Sequence, residues 1–289
     1  MFGYAGKLLF VDLSNRTFEV RDLDEKTARD YVGGLSLGAK ILYDEMPAKT
    51  PVFAPESMIG FVTGVANGTG PFMGGRYTVV SKSPVTGGFN DASSGGTFGP
   101  LLKRAGYDAV FFKGISEKPV YVFIDDGKVE FRDATHLWGK TTIELEKAIK
   151  EELGDPKVGI ASIGPGGENL SNMAAIMNDE HRAAGRGGSG AVMGSKKLKA
   201  LVVRGNHRVQ AHDKDAVVAL NKEVAEWHKG PVAPVYEMFT NHGTGGAYDS
   251  SIINGDTSVK NWLGTANDLT EEQIKKVTSQ DQDKLFKIK

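Results

Sequence analysis

Two stretches of this chain follow one plan: TFGPLLKRAGYDAVFFKG at 97–114 and SGAVMGSKKLKALVVRG at 189–205. Each runs from a helix-like turn into an apolar strand and stops at a basic residue and a glycine. Each begins at or just behind a glycine pair, Gly95-Gly96 and Gly187-Gly188, set 92 positions apart. Two further pairs, Gly74-Gly75 and Gly166-Gly167, stand 21 positions before these. The spacing predicts an internal duplication with an offset near 92, in which two glycine loops meet across a pseudo-twofold axis. Such loops suit a ligand that is itself two-fold and anionic at both ends.

The loops have the chemistry for anions. Glycine makes up 37 of 289 residues, about twice the usual ~7%, and lets backbone N–H groups approach a ligand closely. Arg76 follows Gly74-Gly75, and Ser93, Ser94, Gly95 and Gly96 precede a predicted helix. Arg182 and Arg186 flank Gly185 in HRAAGRGG. A guanidinium fork matches phosphate oxygens two at a time. Arg76, Arg182 and Arg186 are therefore expected on one concave surface, with Asp179, Glu180 and His181 ion-pairing to orient the arginines. Neither GxxxxGK[ST] nor a strand-borne GxGxxG with its downstream acid occurs, so the pattern reads as a general phosphate cradle.

Several classes are excluded. Net charge is −1, which gives no general pull toward nucleic acid or anionic membrane. There is no cysteine, so this chain supplies no disulfide, thiolate metal ligand, iron–sulfur ligand or Cys nucleophile. The six histidines show no zinc spacing, and no GxSxG elbow is present. Trp138, Trp227 and Trp262 read as packing residues. No apolar run reaches the ~18 residues of a membrane span and the N-terminus has no signal-peptide layout, so the expected location is the cytoplasm.

Along the chain, apolar alternation predicts hairpins at 7–22 and at 120–133, the second turning at Asp126-Gly127. Further strands are expected in MIGFVTGV, RYTVVSKSP, AVFFKG, KVGIASIG and KALVVRG. Helices are expected at 24–46, broken at Gly33-Gly34, in FGPLLKRAG, and at 141–153 with a Thr start and a Gly stop. After about residue 210 the pattern becomes helical. The expected fold is α+β: an internally duplicated, sheet-rich first part at 1–210 and a helical part at 211–289.

Two longer stretches carry a resemblance. GGRYTVVSKSPVTGGFNDASSGGTFGPLLKRAGYDAVFFKG and ASIGPGGENLSNMAAIMNDEHRAAGRGGSGAVMGSKKLKALVV are similar to the aldehyde ferredoxin oxidoreductase family. The resemblance implies a tungsten (or molybdenum) bis-pyranopterin cofactor resting on the duplicated domain. It implies phosphate and pterin contacts from Arg76, Ser93, Gly95, Arg182, Ala183, Gly185 and Arg186. It also implies a Mg2+ between the two pterin phosphates, met by the backbone carbonyls of Ser93 and Ala183. Ser93 stands where relatives can carry asparagine, a change that a main-chain ligand tolerates.

The resemblance covers the N-terminal half of the family pattern. It places the cysteines of a [4Fe–4S] cluster, and the catalytic acid and base, beyond DKLFKIK at 283–289. No catalytic residue is therefore assigned in this chain, which alone is expected to be inactive. The implied activity is aldehyde oxidation to a carboxylic acid, with ferredoxin or an electron-transfer subunit as acceptor. A homo-oligomer or a separate C-terminal half is an expected partner. The alternatives are a non-catalytic phosphate-binding or structural subunit, and the tungsten subunit of a different oxidoreductase such as an aromatic acyl-thioester reductase.

Overall fold

Each strand of the first half has a counterpart in the second. In the computed structural model, which describes residues 1–278 and 281, the first half contains β1 (Lys7–Asp12), β2 (Thr17–Asp22), α1 (Glu25–Tyr31) and α2 (Gly34–Glu45). It continues through β3 (Ile59–Thr63), β4 (Tyr77–Lys82), β5 (Phe89–Ser94), α3 (Phe98–Arg104) and β6 (Ala109–Lys113). The second half contains β7 (Val120–Asp125), β8 (Lys128–Asp133), α4 (Thr142–Leu153), β9 (Gly159–Ser162) and α5 (Pro165–Glu168). It ends with β10 (Ile176–Asn178), β11 (Arg182–Ala184), α6 (Ser189–Ser195) and β12 (Leu198–Arg204).

The six-stranded sheets have the orders β2-β1-β6-β3-β4-β5 and β8-β7-β12-β9-β10-β11. In both, the outer hairpin joins the last strand in parallel, β1 with β6 and β7 with β12; all other neighbours are antiparallel. This confirms an internally duplicated α+β domain.

The offset is not constant. Phe98 and Ser189, which open α3 and α6, are 91 residues apart, whereas Lys7 and Val120, which open β1 and β7, are 113 apart. Gly95-Gly96 and Gly187-Gly188 occupy equivalent places before α3 and α6. The earlier glycine pairs do not: Gly75 lies two residues before β4, while Gly166-Gly167 is inside α5. Both pairs fall in the connection between the third and fourth strands, in chain order, of their sheets, at different places within it.

Patterning explains the layers. The central strands β3, β4, β7 and β9 are almost wholly buried, which their near-continuous apolar runs require. One core lies between the sheets and includes Leu9, Phe61, Val79 and Phe112 from one sheet with Val122, Ala161 and Val203 from the other. Phe98 and Leu102 of α3 and Val192 and Met193 of α6 complete it. The outer face of the first sheet packs on Leu37, Ile41 and Leu42 of α2; that of the second packs on Leu145 and Ile149 of α4. Each such fully buried apolar side chain contributes roughly 1.5–3 kcal/mol. At α4 a Thr141–Glu144 capping box and a left-handed Gly154 set the ends.

The chain divides into two compact units, Met1–Val218 and Ala219 onward. Near and within the second lie α7 (Lys214–Lys229), α8 (Ala233–His242), α9 (Tyr248–Ile253) and α10 (Glu271–Lys276). Trp227 and Trp262 are 56% and 65% exposed, so the packing role expected for them is not met among the described residues. The DKLFKIK stretch at 283–289 lies outside the described residues.

Candidate functional site

The stretches that read as glycine loops contain edge strands. β5 closes the first sheet and β11 the second, and the two are in contact. They cross head to tail. Gly95, just past the end of β5, faces the start of β11: a Cβ on Gly95 would lie 3.4 Å from a guanidinium nitrogen of Arg182. Asn90, near the start of β5, donates to the carbonyl of Arg186, past the end of β11, at 3.3 Å. Ser93 and Ala183 sit between these crossing points and both are exposed. Arg76, Arg182, Gly185 and Arg186 are exposed as well.

Buried amides lock the junction at each end. Asn178, at the end of β10, is 1% exposed. Its NH2 donates to the Gly95 carbonyl at 2.9 Å and to Asp179 at 3.0 Å. Its oxygen accepts from Tyr77 Oη at 3.0 Å and Ser94 Oγ at 2.7 Å. All four of its hydrogen-bonding positions are used. Burial, and then the Asp179 charge, push the Tyr77 phenol well above its ordinary range, so it stays a donor. At the other end Asn90 donates to Ser189 Oγ at 2.8 Å, which also meets Ser81 Oγ at 3.1 Å; Ser83 Oγ donates to the Gly187 carbonyl at 2.9 Å.

Glycine is required at both ends. Gly96 has φ +93°, and its Cβ would stand 1.8 Å from a carboxylate oxygen of Asp179. Gly187 has φ +64°, and its Cβ would stand 1.7 Å from the side-chain oxygen of Asn90. Gly75 packs by its missing side chain on the Gly96 carbonyl, 2.7 Å from the ideal Cβ position, which brings the backbone before Arg76 to the Gly95–Arg182 end. Arg186 belongs to the opposite end, four residues or ~13 Å of extended chain from Arg182. The three arginines therefore flank a strip and do not meet at one point.

The acids do not orient the arginines as expected. Asp179 accepts from Thr97 N–H and Thr97 Oγ1, both at 2.6 Å, pinning the start of α3 to the β10–β11 turn. Glu180 lies 3.8 Å from His181, and its N–H donates to Glu146 at 2.9 Å. Glu146, buried on α4, thus holds the same turn from behind. Sequence reasoning missed Asn90, Asn178 and Glu146, because an amide or acid inside a helix or short strand carries no motif.

The chain has ten arginines. Arg21, Arg29, Arg132 and Arg204 pair with carboxylates at 2.6–2.9 Å. Among the described residues Arg16, Arg76, Arg104, Arg182, Arg186 and Arg208 have no carboxylate partner. Three of these six border the strip. Exposed glycine backbone, three uncompensated guanidiniums and no carboxylate pairing with them make a surface suited to phosphate oxygens.

Comparison with known proteins bears on this surface. The family model for the N-terminal domain of aldehyde ferredoxin oxidoreductase matches residues 8–205. A tungsten-containing aldehyde ferredoxin oxidoreductase of Pyrococcus abyssi is 50% identical over 234 residues, 81% of this chain and 39% of the relative. The WOR-like subunit of an aliphatic sulfonate oxidoreductase from Pyrococcus furiosus is 35% identical over 293 residues, 95% of this chain and 46% of the relative. Among solved structures, the BamBC active-site complex of benzoyl coenzyme A reductase, bound to 1,5-dienoyl-CoA, matches with TM-score 0.77 and 38% identity, over 83% of this chain and 36% of that one. The matched part thus spans about two-fifths of the length of these relatives.

Proposed function

Because this chain belongs to the aldehyde ferredoxin oxidoreductase family, we propose that the strip along β5 and β11 is the floor on which a tungsten bis-pyranopterin rests in an oxidoreductase. The observation that carries the reading is the crossing of two duplicated edge strands, with Ser93 and Ala183 between uncompensated arginines. Residues 1–210 form the pterin-binding domain in this reading, and 211–289 begin the helical domain.

The residues present fit the group. Arg76 and Arg182 offer forks to phosphate oxygens at one end of the strip, and Arg186 at the other. Gly95 and Gly185 add backbone contacts that a side chain would block. Ser93 Oγ lies 3.1 Å from Thr78 Oγ1, so its hydroxyl is engaged; the main-chain carbonyls of Ser93 and Ala183 would be the groups to hold a Mg2+, which would neutralise phosphate charge there. Each charge-assisted contact contributes about 1.5–3 kcal/mol. When bound, the metal–pterin group supplies the redox chemistry, which oxidises an aldehyde to a carboxylic acid; molybdenum can stand in for tungsten. This chain binds and orients. A [4Fe–4S] cluster would need cysteines that this chain does not carry, so the electron outlet to ferredoxin or an electron-transfer subunit would be held by residues other than these; the expected location is the cytoplasm.

Metal analysis tests this directly. The protein, purified with any polypeptide that accompanies it, should hold tungsten near one atom per chain and reduce a dye with aldehyde. Protein free of tungsten and molybdenum after expression with both metals supplied sinks the proposal. The benzoyl coenzyme A reductase complex supports a second reading, reduction of an aromatic thioester. Dye oxidation driven by an aryl-CoA, with no aldehyde turnover, would select it.

A further inference from the structure

The unpaired arginines single out a second place. Arg104 and Arg208 line one groove of about 770 Å3 with His207 and Lys214. None of its lining residues belongs to the strip. Its walls are the loop Gly68–Gly70, the end of α3, and the segment Gly205–Ala211 that follows β12.

The groove is built, with its segments tied from several sides. His207 N–H donates to the Arg104 carbonyl at 2.9 Å. Gly205 packs so closely on α3 that a Cβ would stand 2.3 Å from the same carbonyl. Asn206 N–H donates to Asp126 at 2.6 Å. Gly68, at φ +76°, packs against Val209, with 3.3 Å from its ideal Cβ to Cγ2.

The charge is one-sided. Arg104, Arg208 and Lys214 are three cations, His207 is a further nitrogen donor, and among the described residues no Asp or Glu lines the groove. The nearby acids are engaged: Asp126 by Asn206 N–H, and Asp213 by Ala216 N–H at 2.8 Å. Arg21, Arg29, Arg132 and Arg204 pair with carboxylates; here two arginines and a lysine gather, repel one another and make no ion pair among the described residues.

We propose that this groove binds a small molecule bearing a diphosphate: inorganic pyrophosphate or a nucleoside diphosphate. A terminal phosphate carries about −1.5 to −2 near neutral pH, and a second phosphate brings the total close to the three cations. Two guanidiniums grip phosphates by paired hydrogen bonds, and the ammonium adds a point charge. The volume lies within the ~300–1,000 Å3 of small-ligand sites.

Titration calorimetry of the full chain with pyrophosphate, ADP and inorganic phosphate is the test, alongside amide NMR shifts. Pyrophosphate should bind more tightly than phosphate and shift the amides of 68–70 and 205–211. Arg104→Gln and Arg208→Gln should each weaken it about tenfold or more, the worth of one lost charge-assisted contact. Arg16→Gln, at another unpaired arginine, should leave this binding unchanged. Tighter binding of ADP than of pyrophosphate assigns a nucleoside ligand; equal binding assigns the diphosphate alone. The proposal is overturned by shifts confined to the strip, by affinity lost in Arg182→Gln and kept in Arg104→Gln and Arg208→Gln, or by a single-stranded oligonucleotide that outcompetes both ligands. The shifts on the unmutated chain decide even where a variant misfolds.

Discussion

The two halves reach the same sheet order with different residues. Both bury a lysine under the carbonyl that ends the third strand. In the first half Lys103, on α3, donates to the Gly64 carbonyl at 2.7 Å and lies 3.4 Å from Asp108. In the second, Lys199 comes from β12, donates to the Ile163 carbonyl at 2.7 Å and pairs closely with Glu168. A third buried lysine, Lys196, makes no ion pair among the described residues; its one polar contact is the Gly114 carbonyl at 3.4 Å. Topology is what the duplication preserved, and the polar fittings were solved separately in each half.

The largest expected effect comes from breaking the paired lysines. Glu168→Gln and Asp108→Asn each strand a buried ammonium and should cost about 3–5 kcal/mol in urea unfolding. Glu168→Gln should cost more, because Lys199 approaches its acid more closely. The reverse ranking would mean that the two backbone N–H donors at Asp108, 3.1 and 2.7 Å away, outweigh both the closer pair and the single Gly139 N–H that Glu168 accepts at 2.9–3.0 Å.

Lys196 should behave in the opposite sense. Burial pulls its ammonium down to about 8, from 10.5 in the open chain. Between these values the unfolded chain binds the extra proton, so the lysine's penalty is full below pH 8 and gone by pH 10.5. Lys196→Met should therefore stabilise the protein at pH 7 by up to about 3 kcal/mol, at 1.36 kcal/mol per unit, and the advantage should vanish toward pH 10.5. A pH-independent difference would show that Lys196 is solvated.

A smaller effect separates strain from contact. Gly96→Ala and Gly187→Ala combine a left-handed backbone with a clash and should each cost about 2–3 kcal/mol. Gly154→Ala, left-handed but facing open space, should cost only about 1 kcal/mol. Equal costs at all three positions, read as thermal midpoints, would mean that the junction relaxes around the added methyl.

The same contrast shows what could be read in the sequence. Strands buried on both faces, such as FVT and AVFF, stand out as apolar runs, and the Asp126-Gly127 turn announces its hairpin. β5, β10 and β11 do not stand out. FNDASS is built of small and polar residues because one face of β5 is exposed on the strip, and three-residue strands carry no period. The glycines and arginines of the strip were legible as anion chemistry. Their arrangement was not, since it depends on Asn90 and Asn178 bridging residues some 80 to 100 positions away.

The central claim is that the unpaired arginines of the strip hold the phosphates of the cofactor. The most direct measurement is tungsten and pterin per protein in Arg182→Gln, Arg186→Gln and Arg16→Gln, purified as assembled enzyme at matched folding. One lost phosphate contact at each end of the strip predicts about a tenfold or greater fall in cofactor retention for Arg182→Gln and for Arg186→Gln, at about 1.4 kcal/mol per decade, with none for Arg16→Gln. Equal cofactor content in all three would contradict the account and leave the arginines as surface charge.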